Sequence, residues 1–237
     1  MNLYNTYINQ VVKAKISVGE DIRLAVQRHL TDLELAKEKD YKYYFDSDIA
    51  DTAVKIIQIM PLTSARGYQP FPLQEWQAFI VAMLHGWRIK SSSTRRFKKA
   101  YVKVARKNGK TEFLAALANL EFLVFPQETG EIFWAATKRD QAKIGWERQK
   151  KMIVKLSSYD RYVKKRIVTN ARKIIDTKYS MSCQALGRDS KSEDGHLVYW
   201  GIIDEYHAHP NDDMVNILET GMGAFDEPLL IIITTAG

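Results

Sequence analysis

The residues best suited to chemistry begin in a short stretch, VKVARKNGKT at 102–111, that ends in Gly-Lys-Thr. This ending matches the phosphate-binding pattern G-x-x-x-x-G-K-[ST], in which the second glycine lets the backbone approach a phosphate, the lysine reaches the β- and γ-phosphates and the hydroxyl binds Mg²⁺. Gly109, Lys110 and Thr111 would fill these roles. Val104 stands in place of the first glycine, which leaves a chance Gly-Lys-Thr as the alternative.

A pair of adjacent carboxylates, Asp204 and Glu205, ends the apolar run in LVYWGIIDEYH at 197–207. An aspartate at the end of a buried strand can hold Mg²⁺, and the glutamate after it can polarise the water that attacks a γ-phosphate. A strand that simply ends in surface charges is the alternative. Because both motifs follow a predicted strand, in the order that a nucleotide site requires, together they favour nucleotide hydrolysis.

The elements that must position these residues alternate between strand and helix. After a helix at 74–87, the pattern predicts strand–helix pairs at 100–105 and 109–124, at 131–136 and 138–156, and at 198–203 and 211–220, with a last strand at 229–234. This alternation predicts an α/β fold with a mostly parallel central sheet flanked by helices. Residues 160–185 alternate β-branched and polar side chains, which predicts one or two inserted antiparallel strands.

The N-terminal part of the chain has a helical pattern up to about residue 60. Pro61, Gly67, Pro70 and Pro72 then interrupt regular structure. We therefore predict two parts, an α-helical N-terminal subdomain at 1–66 and the catalytic core at 67–237.

Composition limits the classes of protein that this chain can belong to. Its 237 residues carry a net charge of +7, and the stretch from Lys138 to Lys173 holds thirteen Lys or Arg against three Asp or Glu. Such a surface attracts phosphate backbones, although a solvated helix face with a hairpin is the alternative. The sequence has one cysteine, no apolar segment long enough to span a membrane and no signal-peptide pattern, which favours a reducing cytoplasm.

Three motifs, in this order, resemble the ATPase domain of the large terminase subunit of tailed bacteriophages, the motor that packages DNA into procapsids. They are ARKNGKT at 105–111, IIDEYHAHP at 202–210 and IIITTAG at 231–237. Further stretches are similar to the family's adenine-side segment, to the strand and helix after its phosphate loop, and to the segment before its acidic pair: PFPLQEWQAFIVAMLHGW at 70–87, IFWAATKRDQAKIGW at 132–146 and GRDSKSEDGHLVYW at 187–200. The resemblance covers nearly the whole chain and implies a P-loop NTPase fold that uses ATP and Mg²⁺.

The resemblance also implies roles for single residues. Gln77 would contact the adenine base, Thr111 and Asp204 would hold Mg²⁺, and Glu205 would be the catalytic carboxylate. The loop residues would bind the nucleotide: Ala105, Arg106, Lys107, Asn108, Gly109, Lys110 and Thr111.

Two arginines and two threonines complete the implied machinery. Either Arg106, within the loop, or Arg139, acting on a neighbouring subunit's nucleotide, would neutralise charge on the γ-phosphoryl group during hydrolysis, and the sequence does not choose between them. Thr234 and Thr235 match the family's coupling motif, which senses the γ-phosphate. For either threonine alone, a β-branched residue that finishes a buried strand is the alternative.

The implied biological role is to drive double-stranded DNA into a procapsid in the host-cell cytoplasm, without a membrane. The implied partners are the portal protein, the small terminase subunit and further copies of the chain in a ring. Complete large subunits continue into a nuclease domain, but this sequence ends at TTAG, so we expect no nuclease activity from it.

Two other functions are compatible with parts of the pattern. A helicase-like P-loop ATPase would share both motifs but needs a second recA-like domain, for which the chain has no room. A non-enzymatic DNA-binding module would need only the basic stretch 138–173. His207 and His209 lie beside the carboxylates, but we do not expect a zinc site because no third ligand has suitable spacing.

Overall fold

The computed structural model describes residues 2–187 and 196–235. The chain forms two compact units, one made of Met1–Gln58 and Pro72–Phe97 and the other of Ile59–Phe71 and Lys98–Gly237. Within the described residues, every helix is too short or too polar to cross a lipid bilayer.

The first unit consists of helices and one short antiparallel ribbon. Its elements are α1 (Leu3–Val12), α2 (Glu20–Leu35), β1 (Tyr43–Phe45), α3 (Ser47–Gln58), α4 (Glu75–Gly86) and β2 (Trp87–Ile89). The helix α3 buries apolar residues at helical spacing, among them Ala50, Val54 and Ile57. A Cβ on Gly86 would lie 2.4 Å from the Phe45 ring, so only glycine fits where α4 meets β1.

The second unit is built on a seven-stranded sheet with the order β3-β9-β8-β4-β7-β6-β5. Its strands are β3 (Lys99–Lys103), β4 (Glu131–Ala136), β5 (Ile167–Thr169), β6 (Lys173–Asp176), β7 (Met181–Gly187), β8 (Val198–Ile203) and β9 (Leu229–Thr234). Its helices are α5 (Lys110–Val124), α6 (Arg139–Ser157), α7 (Arg161–Arg166) and α8 (Asp213–Gly221). Strands β3, β9, β8, β4 and β7 pair in parallel, whereas β6 and β5 are antiparallel additions. The predicted fold class, an α/β fold with a mostly parallel sheet and flanking helices, is confirmed.

Close packing fixes the helix α6 against the sheet. A Cβ on Gly145 would lie 2.1 Å from the Trp134 indole, so the glycine lets α6 approach β4. The Trp134 Nε1–H donates to Gln149 Oε1 at 2.6 Å, and the Trp146 Nε1–H donates to the carbonyl of Cys183 at 3.1 Å. Both tryptophans are therefore core residues with satisfied N–H groups.

Two features of the second unit differ from what the sequence pattern indicates. The helix α7 forms where the pattern shows only strands, because the Asp160 carboxylate caps its start by accepting from the N–H groups of Tyr162 and Val163. A phosphate loop is expected to follow a buried strand, but strand β3 is exposed. It lies at the edge of the sheet, and its Tyr101 is 61% exposed. Strand order, which decides such exposure, depends on contacts far apart in sequence.

The segment Ile59–Phe71 belongs to the second unit because side chains of α5 and α6 bind its backbone. The Thr63 N–H donates to Glu112 Oε1 at 2.9 Å, and Lys155 Nζ donates to the carbonyl of Leu62 at 2.8 Å. These contacts cannot be read from the Pro and Gly positions that suggested a boundary after residue 66. The division into 1–66 and 67–237 stays a prediction.

Candidate functional site

The candidate site lies at the carboxyl ends of four neighbouring parallel strands of the sheet. Register places Lys103 of β3 beside Thr234 of β9, and Ile203 of β8 beside Ile232 of β9 and Ala135 of β4. Because the carboxyl ends of parallel strands share one edge, the loops after these strands meet there. Ligands of open α/β sheets bind at this edge.

The loop from β3 to α5 has a backbone suited to anions. Lys107 and Gly109 have positive φ angles of 65° and 69°, and such turns point successive N–H groups to one side. Asn108 Nδ2 stabilises the turn by donating to the carbonyls of Ala105 at 3.1 Å and Arg106 at 3.3 Å. Gly109 is the N-cap of α5 and has no side chain, so the first N–H groups of this helix are available to a phosphate.

Val104 has a structural reason to replace the first glycine of the pattern. Its N–H donates to the carbonyl of Thr234 at 3.1 Å, which extends the pairing of β3 with β9 by one residue. A β-branched side chain is favoured in such an extended position. The two positive φ angles come only afterwards, so the turn does not need a glycine at 104.

Lys110 and Glu205 face each other across the site. The Lys110 side chain is 7% exposed, and its Nζ lies 3.4 Å from Glu205 Oε1. Its carbon chain is buried at the start of α5 while its charge is directed to the carboxylate. A lysine in this position can reach the β- and γ-phosphates of a nucleotide.

The Asp204 carboxylate and the Thr111 hydroxyl are joined by a hydrogen bond. Burial raises the pKa of Asp204 above its ordinary value, although the Glu205 N–H, which donates to Asp204 Oδ1 at 2.8 Å, and a hydrogen bond with Thr111 oppose the shift. A carboxylate beside a hydroxyl fits Mg²⁺, which takes one or two protein oxygens and completes its shell with phosphates and water. The described residues include no cluster of three or more His, Cys, Asp and Glu side chains that could hold a metal by themselves.

Glu205 is held in a strained conformation by several partners. Its φ of 51° and ψ of 47° are left-handed, which is uncommon for a residue other than glycine. Burial alone would raise the pKa of Glu205, but the hydrogen bond from Thr235, at 2.9 Å from its Oε2, and the charge of Lys110 lower the pKa overall. The carboxylate therefore stays ionised at neutral pH and can accept a proton.

The threonines at the end of β9 both reach this carboxylate network. Both are buried. The hydroxyl of Thr235 contacts Glu205 directly, and that of Thr234 lies 3.0 Å from His207 Nδ1. Thr234 and Thr235 belong to a different sequence motif from the acidic pair, and the structure brings them into the network around Glu205.

His207 is a member of the site that the sequence analysis missed. It lies in a 3-10 turn at Tyr206–Ala208, and its Nδ1 is 3.3 Å from Glu205 Oε2. In the sequence, His207 stands out only beside His209, as a metal ligand without a third partner, and nothing marks it as a partner of Glu205. The usable signal was its position two residues after the glutamate, in a turn that follows a buried strand.

The remaining predicted residues have other surroundings. Arg106 is exposed within the loop. Arg139 is exposed at the start of α6, where it lines a cavity of about 420 Å³ with Lys143, Trp146, Ala171, Arg172 and Ala185. Gln77 is buried in the first unit, and its Oε1 accepts the N–H of Gln74 at 2.9 Å, which caps α4.

Parts of two resembling stretches lie outside the described residues. These are residues 188–195 of GRDSKSEDGHLVYW and residues 236–237 of IIITTAG.

Comparisons with known proteins show the family of the chain. The model of the family "Terminase large subunit, ATPase domain" matches residues 75–237, more than half of the chain. The terminase large subunit of Enterobacteria phage HK97 is 31% identical over 140 residues, which cover 57% of this chain and 27% of that protein. Protein YmfN of Escherichia coli strain K12 is 46% identical over 44 residues, 19% of this chain and 10% of that protein.

A solved structure has the same fold. The crystal structure of the HK97 bacteriophage large terminase superposes with a TM-score of 0.65 at 22% identity, over 78% of this chain and 37% of that chain. The chain spans only about a quarter of the length of the HK97 protein, 27% by sequence. The resemblance predicted from the sequence is confirmed: the chain belongs to the family of ATPase domains of terminase large subunits.

Proposed function

We propose that this chain binds ATP with Mg²⁺ and hydrolyses it, and that in the complete protein this reaction drives double-stranded DNA into a procapsid. The observation that carries the proposal is the meeting of Lys110, Thr111, Asp204 and Glu205 at one sheet edge, beside the N-terminus of α5. Phosphoryl transfer uses this set of groups: a lysine ammonium group, a hydroxyl, two carboxylates and the backbone N–H groups at the start of a helix.

Each residue has a separate part in the proposed reaction. Backbone N–H groups of the loop and Lys110 bind and orient the phosphates. Thr111 and Asp204 would hold Mg²⁺, which would neutralise negative charge on the triphosphate. The ionised Glu205 orients the attacking water and accepts its proton, for which its lowered pKa keeps it ready at neutral pH.

An arginine is proposed to complete the site. Arg106 can serve within the same chain because it is exposed in the loop itself. Arg139 is the alternative in a ring of identical subunits, where the cavity that it shares with Lys143 and Arg172 would face a neighbour's triphosphate. Three cations around one cavity favour a polyanion there.

The DNA-moving role extends the proposal to the whole protein. The basic stretch 138–173 supports contact with duplex DNA, and Thr234 and Thr235 support coupling, since both join the Glu205 network. The proposed partners are the portal protein, the small terminase subunit and other copies of the chain, in the host-cell cytoplasm. Gln77 is proposed to contact the adenine base.

The test compares Mg²⁺-dependent phosphate release by the wild type and by Glu205→Gln, with Glu128→Gln, an exposed glutamate, as the control. We expect Glu205→Gln to bind ATP but to lose turnover by at least about 10²-fold, as when a general base is removed. The control should match the wild type. Equal background release from all three proteins, with no detectable ATP binding, would instead favour a DNA-binding module without enzymatic activity.

A further inference from the structure

His207 occupies the centre of a small polar network. Its Nδ1 lies 3.0 Å from Thr234 Oγ1, 3.2 Å from Thr235 Oγ1 and 3.3 Å from Glu205 Oε2. Its backbone N–H also lies 3.3 Å from Thr234 Oγ1, to which it donates. One side chain after β8 therefore touches the carboxylate and both threonines at the end of β9.

The hydrogen-bonding capacity of each partner limits what His207 Nδ1 can do. The single hydroxyl proton of Thr235 is donated to Glu205 Oε2, so Thr235 Oγ1 can only accept a further hydrogen bond, and the ionised Glu205 can only accept as well. A proton on Nδ1 can therefore be donated to either of these oxygens, whereas an Nδ1 without a proton can accept only from the Thr234 hydroxyl. His207 can thus bind Thr234 in either tautomer, and it binds Glu205 or Thr235 when Nδ1 carries the proton.

The network has a mechanical consequence for Glu205. Its side chain is 46% exposed and its backbone is left-handed, so burial alone does not fix where the carboxylate points. The contacts with Thr235, His207 and Lys110 fix it instead. The carboxylate is therefore joined to the end of β9 by direct contacts with Thr235 and His207.

We infer that His207 is a positioning residue for hydrolysis, which ties Glu205 to Thr234 and Thr235 so that the catalytic carboxylate and the end of β9 move as one unit. This inference rests on the proposed function. In this inference His207 acts through its three partners and not on the nucleotide or the water directly. It gives the two threonines a physical connection to the reaction that their own β-branched shape does not supply.

The experiment measures kcat and KM for ATP in His207→Ala, with His209→Ala, the histidine that follows the same turn, as the control. We expect kcat to fall about tenfold, the effect of losing one hydrogen bond to a charged group, while KM changes less than about twofold. His207→Asn, whose amide can donate near the position of Nδ1, should recover most of the loss. Equal losses in both alanine variants, or no loss in His207→Ala, would overturn the inference.

A double-variant cycle separates a connected network from general damage to the fold. Thr235→Val should also lower kcat about tenfold, and the double variant His207→Ala/Thr235→Val should lose little more than either single one, because both break the same connection. A loss of about a hundredfold, the product of the two, would show that the residues act independently and would contradict the inference.

A measurement without turnover keeps the two proposals distinguishable. In nitrogen NMR of the histidine rings, the Nδ1 signal of His207 should shift in Thr235→Val, while the signals of His209 stay in place. An unchanged His207 signal would overturn the inference even if the wild type hydrolyses ATP. A shift of the His207 signal in Thr235→Val, found together with a wild type that has no ATPase activity, would support the network and overturn only the proposed function.

Discussion

Two ion pairs in the second unit differ in their length and in their exposure to solvent. Arg166 and Asp176 are sealed in the core with side chains 5% and 0% exposed, and Arg166 Nε donates to Asp176 Oδ2 at 2.5 Å. Lys110 and Glu205 lie 3.4 Å apart, with Glu205 46% exposed. The first pair is short and enclosed, whereas the second is long and open on one side.

The partners beyond each pair show the same contrast. Arg166 also donates to the carbonyls of Phe122 and Leu123, each at 2.9 Å, and Asp176 Oδ1 accepts the Lys178 N–H at 2.9 Å. Among the described residues, the one hydrogen bond found for Lys110 Nζ is its long contact with Glu205, although an ammonium group has three donors. A buried guanidinium bound to a carboxylate and two backbone carbonyls holds the fold together. A charge with donors to spare is available to a ligand.

The largest expected effect comes from breaking the enclosed pair. Arg166→Met should lower the free energy of unfolding by about 3–5 kcal/mol, because it leaves the Asp176 charge buried without a cation. Equilibrium denaturation measures this change, with the exposed Arg172→Met as the control. Surface substitutions usually change the free energy of unfolding only slightly. A loss below about 1 kcal/mol in Arg166→Met would therefore show that the enclosed pair does not stabilise the fold.

Breaking the open pair should have the reverse signature. Lys110→Met should lower kcat about 10²- to 10³-fold, the usual effect of removing one group that stabilises charge in the transition state. It should change the free energy of unfolding by less than about 1 kcal/mol, since one long contact to a half-exposed carboxylate is lost. The same denaturation and phosphate-release assays apply, and Lys151→Met on the exposed face of α6 is the control. A large loss of stability with activity kept per folded molecule would reverse the assignment of the two pairs.

The smallest expected effect concerns pH and sharpens the contrast within the acidic pair. Burial raises the pKa of Asp204, whereas Thr235 and Lys110 lower that of Glu205 against the effect of burial, so the two pKa values shift in opposite directions. Protonation of Asp204 would remove a proposed Mg²⁺ ligand, so the Mg²⁺ concentration needed for half-maximal turnover should rise on acidification. Mg²⁺ titrations of phosphate release at falling pH, from about pH 7 to about pH 4, near the ordinary pKa of aspartate, measure this. A rate lost in acid that added Mg²⁺ does not restore would point to Glu205 instead.

Much of the site could be predicted because it depends on local sequence. Strand–helix alternation and the order of Gly109, Lys110 and Thr111 place the loop, and the apolar run before Asp204 places the carboxylates, since each signal lies within one element and its turn. The strand bounds at 131–136, 198–203 and 229–234 agree with the structure for the same reason.

The rest could not be predicted because it depends on contacts between distant residues. The edge position of β3 follows from strand order, and the Arg166–Asp176 pair joins α7 to β6. His207 lies 27 residues before Thr234 along the chain, so its role appears only when β8 and β9 are placed side by side. No periodicity in the sequence carries that information.

The central claim is tested most directly by a crystal structure of the chain with Mg²⁺ and a non-hydrolysable ATP analogue. The account predicts phosphates on the N–H groups of residues 105–111, the metal between Thr111 and Asp204, and Glu205 facing the γ-phosphate. An analogue bound elsewhere, or the two carboxylates directed away from its phosphates, would contradict it.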